Sequence, residues 1–251
     1  MLFSPVPMKK LPPRHRFLGC AAGPVEDKVY SFGGFFKWET YDNKGRIDVH
    51  LFNTVTLCWT ALPPATTARG ELSVEVPSLR YGHTAVLVED VIYIWGGMVN
   101  CTVRCDANGC FITTGDRVNI LYAFDVDTHR WFEPKVSGTV PEARYHHSAC
   151  GLGKVFFIHG GFTQTSVTND IHKLDTTTVT WSMVNTAGIP PSASSRHSAT
   201  IIGTKMFVFG GRGSGTNDIR VFDTETNFWL STPSAQLLPS SSLPPRFPYD
   251  P

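Results

Sequence analysis

Residues 144–181, RYHHSACGLGKVFFIHGGFTQTSVTNDIHKLDTTTVTW, carry landmarks that recur along the chain at constant offsets. His147 precedes the pair Gly160-Gly161 by 13 positions, and His83 and His197 stand the same distance before Gly96-Gly97 and Gly210-Gly211. Thirteen positions before Gly33-Gly34 lies Cys20, so a first copy is expected to lack the histidine. A second signature, Asp or Asn with Thr at +3 and Trp at +6, occurs as Asn53-Thr56-Trp59, Asp125-Thr128-Trp131, Asp175-Thr178-Trp181 and Asp223-Thr226-Trp229. Two constant spacings in four copies define an internal repeat, and a repeat decides the architecture before any single element does.

Within one copy, HHSACGL and KVFFIHGG are short β-branched and aromatic runs bounded by glycine, and NDIHKLD and VTWSMV supply two more. The Asp-x-x-Thr step suits a tight turn, because Asp and Thr side chains bond to backbone groups a residue or two on. The unit is therefore a four-stranded antiparallel meander, its strand positions called A to D here. The glycine pair ends strand B, where a residue without Cβ allows positive φ and close approach of a neighbouring sheet. The tryptophan opens strand D and buries a ring that one small sheet does not cover alone. Copies must therefore stack, and four-stranded sheets arranged radially make a β-propeller, an all-β fold.

The histidine, the glycine pair and the distant tryptophan resemble the kelch motif, whose domains are usually propellers of six or seven blades. Longer segments, KVYSFGG, RYGHTAVL, LYAFDVDTHRWF, NDIHKLDT and HSATIIG, extend the resemblance over roughly residues 20–239. Blades are expected at about 20–62, 80–134, 144–185 and 196–231, within a propeller spanning 19–238. Residues 1–18 read as a disordered Pro-rich basic N-terminus and 239–251 as a disordered Pro/Ser-rich tail. After Trp229 the next histidine is due at Pro245, and no fifth glycine pair follows. The four blades either close on themselves or form an arc short of the family's usual ring. The arc is the reading taken, and it exposes the outer surfaces of the first and last blades.

Composition bounds the function. Among 251 residues, 41% are hydrophobic and the formal net charge is +1, which suits one large soluble all-β domain. Lys and Arg form no stripe for a nucleic acid, and no apolar run is long enough to span a bilayer, so neither nucleic acid nor membrane is an expected partner. Six irregularly placed cysteines make no disulfide framework, which points to a cytoplasmic, or else nuclear, setting. Cys101, Cys105 and Cys110 lack a fourth ligand at short spacing, so 98–118 is read as a loop insertion with free thiols and no metal. No copy sets a nucleophile, a base and an acid at a recognisable spacing, and neither an enzyme nor a cofactor is expected.

In a meander the D–A and B–C connections share one face. In kelch receptors an Arg in the D–A connection commonly points into the central pocket and grips carboxylates of a bound peptide. That resemblance makes Arg80 and Arg144, with the adjoining Tyr81 and Tyr145, candidate peptide-binding residues; a guanidinium fork donates two parallel hydrogen bonds to a carboxylate. The alternative is that these arginines tie the loop to a backbone carbonyl. In the fourth copy the equivalent of Arg144 is Ser194, and Arg196 sits one residue before the histidine, so both join the candidates. Gly33, Gly34, Gly96, Gly97, Gly160, Gly161, Gly210 and Gly211, with Trp59, Trp131, Trp181 and Trp229, are assigned to structure.

The resemblance further implies a substrate receptor of a cullin-RING ubiquitin ligase that captures C-terminal protein tails. Adaptor docking is implied only by that likeness, since no helical box follows Trp229. A chromatin- or meiosis-associated scaffold is the second reading. A copper-radical oxidase is a third, although the repeat does not bring Tyr, His and Cys to the axis.

Overall fold

The computed structural model describes residues 16–17, 20–36, 41–42, 45–63, 76–106, 109–212 and 219–231. The N-terminal segment 1–15 and the Pro/Ser-rich stretch 232–251 lie outside the described residues. Every described element is a strand. Blade one pairs Cys20–Val25, Lys28–Phe32, Val49–Asn53 and Cys58–Ala61 in that order; blade two pairs Thr84–Val88, Val91–Trp95, Leu121–Asp125 and Trp131–Phe132. Blade three runs Ser148–Leu152, Val155–Phe162, Val167–Asp175 and Thr180–Met183, and blade four Ser198–Ile202, Lys205–Phe209, Arg220–Asp223 and Phe228–Leu230. The A strands of consecutive blades lie side by side, so A is innermost and D outermost, as in a propeller.

The repeat's turn chemistry is the expected one. Asn53, Asp125, Asp175 and Asp223 each accept, through Oδ1, backbone N–H groups two and three residues on. One carboxylate or amide thus closes the C–D turn and leads the chain back to the tryptophan. Outside strand D, Ser137–Gly138 and Ala187–Gly188 add short parallel strands to blades three and four. Each comes from the linker leaving the preceding blade, and it covers an edge that would otherwise offer free backbone groups.

Packing falls between blades. Tyr30, Phe32 and Val49 of blade one meet Ile92, Ile94, Phe124 and Trp131 of blade two. Val86, Trp95 and Leu121 then meet Phe156, Leu174 and Trp181, and Cys150, Phe157 and Ile171 meet Met206, Phe222 and Trp229. Trp131, Trp181 and Trp229 therefore each pack on the blade before their own, edge-on to Phe32 for Trp131, 5.5 Å from Trp95 for Trp181 and 5.5 Å from His159 for Trp229. Among the described residues no core joins blade four to blade one. Phe209, half exposed, and Ile202, 66% exposed, face outward at one end; Phe52 and Trp59, only partly buried, face outward at the other.

Three expectations are revised. In blade one Cys20 pairs with Phe32, the place held by Thr84, Ser148 and Ser198 in the later blades. A bulge between Ala22 and Val25 adds a residue to that strand, so the count of 13 lands one position past the histidine slot. The cysteine segment is no loop: Met98–Asp106 and Gly109–Arg117 form a long antiparallel hairpin that also pairs with Tyr41–Asp42 of blade one. In blade three, strand B continues through Gly160-Gly161 to Phe162 instead of ending at the pair.

The glycine pairs are where adjacent blades touch. A Cβ on Gly160 would lie 2.7 Å from His197 Cε1 and 2.8 Å from the Ser194 carbonyl, whereas one on Gly210 would meet nothing within 4 Å. Both have positive φ, +62° and +71°. Gly210→Ala should therefore cost only the left-handed backbone penalty of about 1–2 kcal/mol. Gly160→Ala should cost about 1–3 kcal/mol more for the crowded joint. Chemical denaturation of dilute protein measures the difference, and equal losses would show that blade contact at the pair is unimportant.

Candidate functional site

The D–A and B–C connections share one end of the arc, as a meander requires. Isolated bridges join them in blades two, three and four: Tyr81 with Met98, Tyr145 with Phe162, and Ser195 with Arg212. The residue before each repeat histidine links one blade to the next through its backbone. His146 N–H donates to the Gly82 carbonyl at 2.7 Å, and Arg196 N–H donates to the His146 carbonyl at 2.8 Å. Gly82, His146 and Arg196 thus form a hydrogen-bonded chain along the rim of the mouth, each in a left-handed conformation.

The predicted arginines one turn earlier are inside the wall. Arg80 and Arg144 are each 1% exposed. Arg80 donates from Nη1 to the Gly96 carbonyl and from Nε to the Ser78 carbonyl. Arg144 repeats this with Gly160 and Glu142, and forks onto Asp170 at 2.5 and 2.9 Å. Burial opposes the Asp170 charge, but hydrogen bonds from His172 and Arg144 outweigh it and hold this carboxyl well below its usual range. Their backbone carbonyls meanwhile accept from Gly34 and Gly97 of the preceding blade, and Ser194 plays that part for Gly161. Of the two roles weighed for Arg80 and Arg144, the structure supplies the contacts of the tie. A buried guanidinium already forked onto a carboxylate has no fork left for a ligand, which corrects the peptide-gripping expectation for Arg144.

Tyr81, Tyr145 and Arg196 do come together. Tyr81 stands edge-on to Tyr145 at 6.1 Å and to His146 at 5.8 Å, with its hydroxyl 3.0 Å from Met98 Sδ. Tyr145 stacks on Phe162, and Arg117 lies 5.2 Å over the Tyr145 ring. Arg117 Nη1 donates to Gln164, while its buried Nε has no hydrogen-bond partner among the described residues. Burial drives the Tyr81 hydroxyl far above its ordinary pKa, and Arg117 and Arg196 are close enough to oppose that rise. Arg196 itself is exposed. Arg117 carries no signal in the sequence, because only the hairpin register opposite Met98 returns it to the mouth.

The repeat histidines are buried between blades. His147 Nε2 lies 2.8 Å from Thr84 Oγ1 of the preceding blade, and His197 Nε2 lies 3.0 Å from His159 Nδ1. Burial, reinforced by Arg80, lowers His83 to about 3, and burial with Arg196 lowers His146 to about 4. His159 is brought to about 3 by burial and the neighbouring His197, and His147 is lowered for the same kind of reason. All are neutral at pH 7 and serve as packing groups. Among the described residues no group of three or more His, Cys, Asp or Glu is placed to hold a metal ion.

Comparison with known proteins agrees with this architecture. A family model described as the KLHDC2/KLHL20/DRC7 Kelch-repeats domain matches residues 19–242. Kelch domain-containing protein 3 of Homo sapiens is 51% identical over 156 residues, which is 61% of this chain and 37% of the human protein. A Rab9 effector protein with kelch motifs from Xenopus laevis is 32% identical over 97 residues, 38% of this chain and 23% of that protein. The chain thus matches well under half the length of these curated relatives. Among solved structures, YjhT superposes with a TM-score of 0.63 at 14% identity over 90% of this chain and 68% of that one, a likeness of fold alone.

The buried histidines make the fold acid-sensitive. Unfolded, each accepts a proton near pH 6.5. Above that pH their burial carries no ionisation cost. Below it the unfolded chain gains protons that the folded chain refuses, so stability falls as pH drops from about 6.5 toward 4, by up to about 1.4 kcal/mol per pH unit for each histidine. Melting temperatures measured between pH 8 and pH 4.5 should fall steeply over the lower half of that range. A flat profile there would mean the imidazoles are not held neutral.

Proposed function

Since the chain belongs to the kelch-repeat family described as KLHDC2/KLHL20/DRC7, we propose that it is a non-enzymatic binding propeller whose mouth captures protein tails ending in a free carboxylate. One observation carries this reading. Arg117 lies over the Tyr145 ring, Arg196 is close enough to act on the buried Tyr81 beside it, and among the described residues neither arginine has a carboxylate partner. A guanidinium over the half-buried Tyr145 ring, with the exposed Arg196 nearby, suits a carboxylate attached to a peptide backbone: the forks take the charge and the Tyr145 ring takes the chain. Arg80 and Arg144 act behind them as positioning residues, holding the loops that present Tyr81 and Tyr145.

Within this reading the captured tails are those of ubiquitin-ligase substrates, and the blades supply recognition while the ligase adaptor docks elsewhere. The buried histidines take no chemical part, because desolvation keeps them neutral and packed.

Fluorescence polarisation with labelled glycine-ending peptides tests the proposal. Free-acid peptides should bind at least about tenfold more tightly than the same peptides amidated. Arg117→Ala and Arg196→Ala should each weaken the free acid by about 1.5–3 kcal/mol, the scale of hydrogen bonds to charged groups. Arg144→Ala should instead lower the melting temperature. Equal binding of acid and amide would remove the carboxylate from recognition.

A further inference from the structure

Cys105 and Cys110 stand directly opposite each other in the hairpin formed by Met98–Asp106 and Gly109–Arg117. In the paired strands described here the other cysteines face different partners: Cys20 faces Phe32, Cys58 faces Asn53 and Cys150 faces Phe157. Cys101, on the same strand as Cys105, is buried and donates from Sγ to the Val99 carbonyl, and burial pushes its thiol up to about 11. Burial raises Cys150 in the same way. A thiol held so offers little thiolate, which is the reactive form.

The hairpin also fixes the kind of pair the two cysteines make. Asp106 and Gly109 are register partners with only two residues between them, so they exchange the last backbone hydrogen bonds of the ladder. Antiparallel pairs alternate, which makes Cys105–Cys110 the closer, non-hydrogen-bonded kind, with Cα atoms about 4.5 Å apart. A disulfide spans Cα separations of about 4.4–6.8 Å. The register is irregular between Val99 and Val103, but it runs unbroken from Val103 opposite Ile112 to Asp106 opposite Gly109. The cysteine pair lies in the regular part.

We propose that Cys105 and Cys110 form a reversible dithiol–disulfide site, oxidised by glutathione disulfide. One cysteine, as thiolate, attacks a glutathione sulfur; that S–S bond breaks, a mixed disulfide forms, and the departing glutathione takes up a proton. The second cysteine thiolate then attacks the sulfur of the first and releases the other glutathione. Two protein thiols are thereby oxidised to one disulfide, and one glutathione disulfide is reduced to two thiols. Only four residues separate the cysteines, so the cross-link removes little chain entropy and is readily reduced again. Its place gives it reach, because the same hairpin pairs with Tyr41–Asp42 of blade one and carries Met98 and Arg117 at its base. The site stands apart from peptide capture and does not depend on it.

The whole chain is equilibrated in a series of reduced and oxidised glutathione, its free thiols are alkylated after denaturation, and tryptic peptides are weighed by mass spectrometry. Cleavage after Arg104 and Arg117 releases residues 105–117, a peptide with these two cysteines and no other. As oxidised glutathione rises, this peptide should pass from doubly alkylated to unalkylated and two hydrogen atoms lighter than its dithiol form. Peptides carrying Cys101 and Cys150 should stay alkylated. The folded chain should reach half-conversion at a several-fold lower ratio of oxidised to reduced glutathione than the chain unfolded in urea, because the register holds the thiols together. Cys105→Ser should stop at a glutathione adduct on Cys110, and Cys110→Ser at one on Cys105. A wild-type peptide that stays doubly alkylated throughout, a cross-link to Cys101 instead, or the same midpoint with and without urea would each overturn the proposal.

Discussion

The contact on which this structure depends is the joint between blades, where a glycine pair lets the backbone of one sheet touch the next. The Gly34, Gly97 and Gly161 N–H groups donate to the carbonyls of Arg80, Arg144 and Ser194, and an imidazole lies against the glycine just before each. These contacts leave no room for a side chain, which is why the spacing from histidine to glycine pair stays constant. A single meander has two apolar faces and no interior, so its tryptophan, its B strand and its A strand become core only when a neighbour arrives.

That joint also decides what the mouth contains. Loops at the end of a propeller are presented by whatever holds them, and here the holders are Arg80 and Arg144, threaded into the wall with their forks on backbone carbonyls and, for Arg144, on Asp170. The less buried residues of the mouth are shifted by one or two positions, to Tyr145 and Arg196, or come from outside the repeat, as Arg117 does. The buried cations are held by hydrogen bonds, Arg80 to backbone carbonyls and Arg144 to these and to Asp170, while among the described residues Arg117 and Arg196 have no carboxylate partner. Keeping His83, His147 and His159 neutral serves the same end, since an imidazolium between two apolar faces would split the joint.

Much of this was legible before any coordinates. The Asp-x-x-Thr-x-x-Trp signature named the C–D turns and the buried rings because one carboxylate bonding two N–H groups has nearly the same geometry wherever it occurs. The histidine-to-glycine spacing named the joint in three blades. Counting failed at Cys20, where a bulge inserted a residue without altering the neighbouring pattern. Composition failed at 98–118, where cysteines, charges and turn-formers hid two long strands whose pairing with Tyr41–Asp42 belongs to another blade. Trp95, outside the repeat signature, emerged as a core residue packed on Trp181 and His147.

By itself the sequence determined that this chain is a stack of four-stranded sheets, where each sheet turns, and which rings it buries, because those properties follow from spacings within a single repeat. Tertiary structure alone decided that Arg80 and Arg144 are tied into the wall and that Arg117 lies over the Tyr145 ring. Each of those outcomes turns on which neighbour a side chain meets, and neighbours brought together across blades, dozens of residues apart, leave no mark in the local order of the chain.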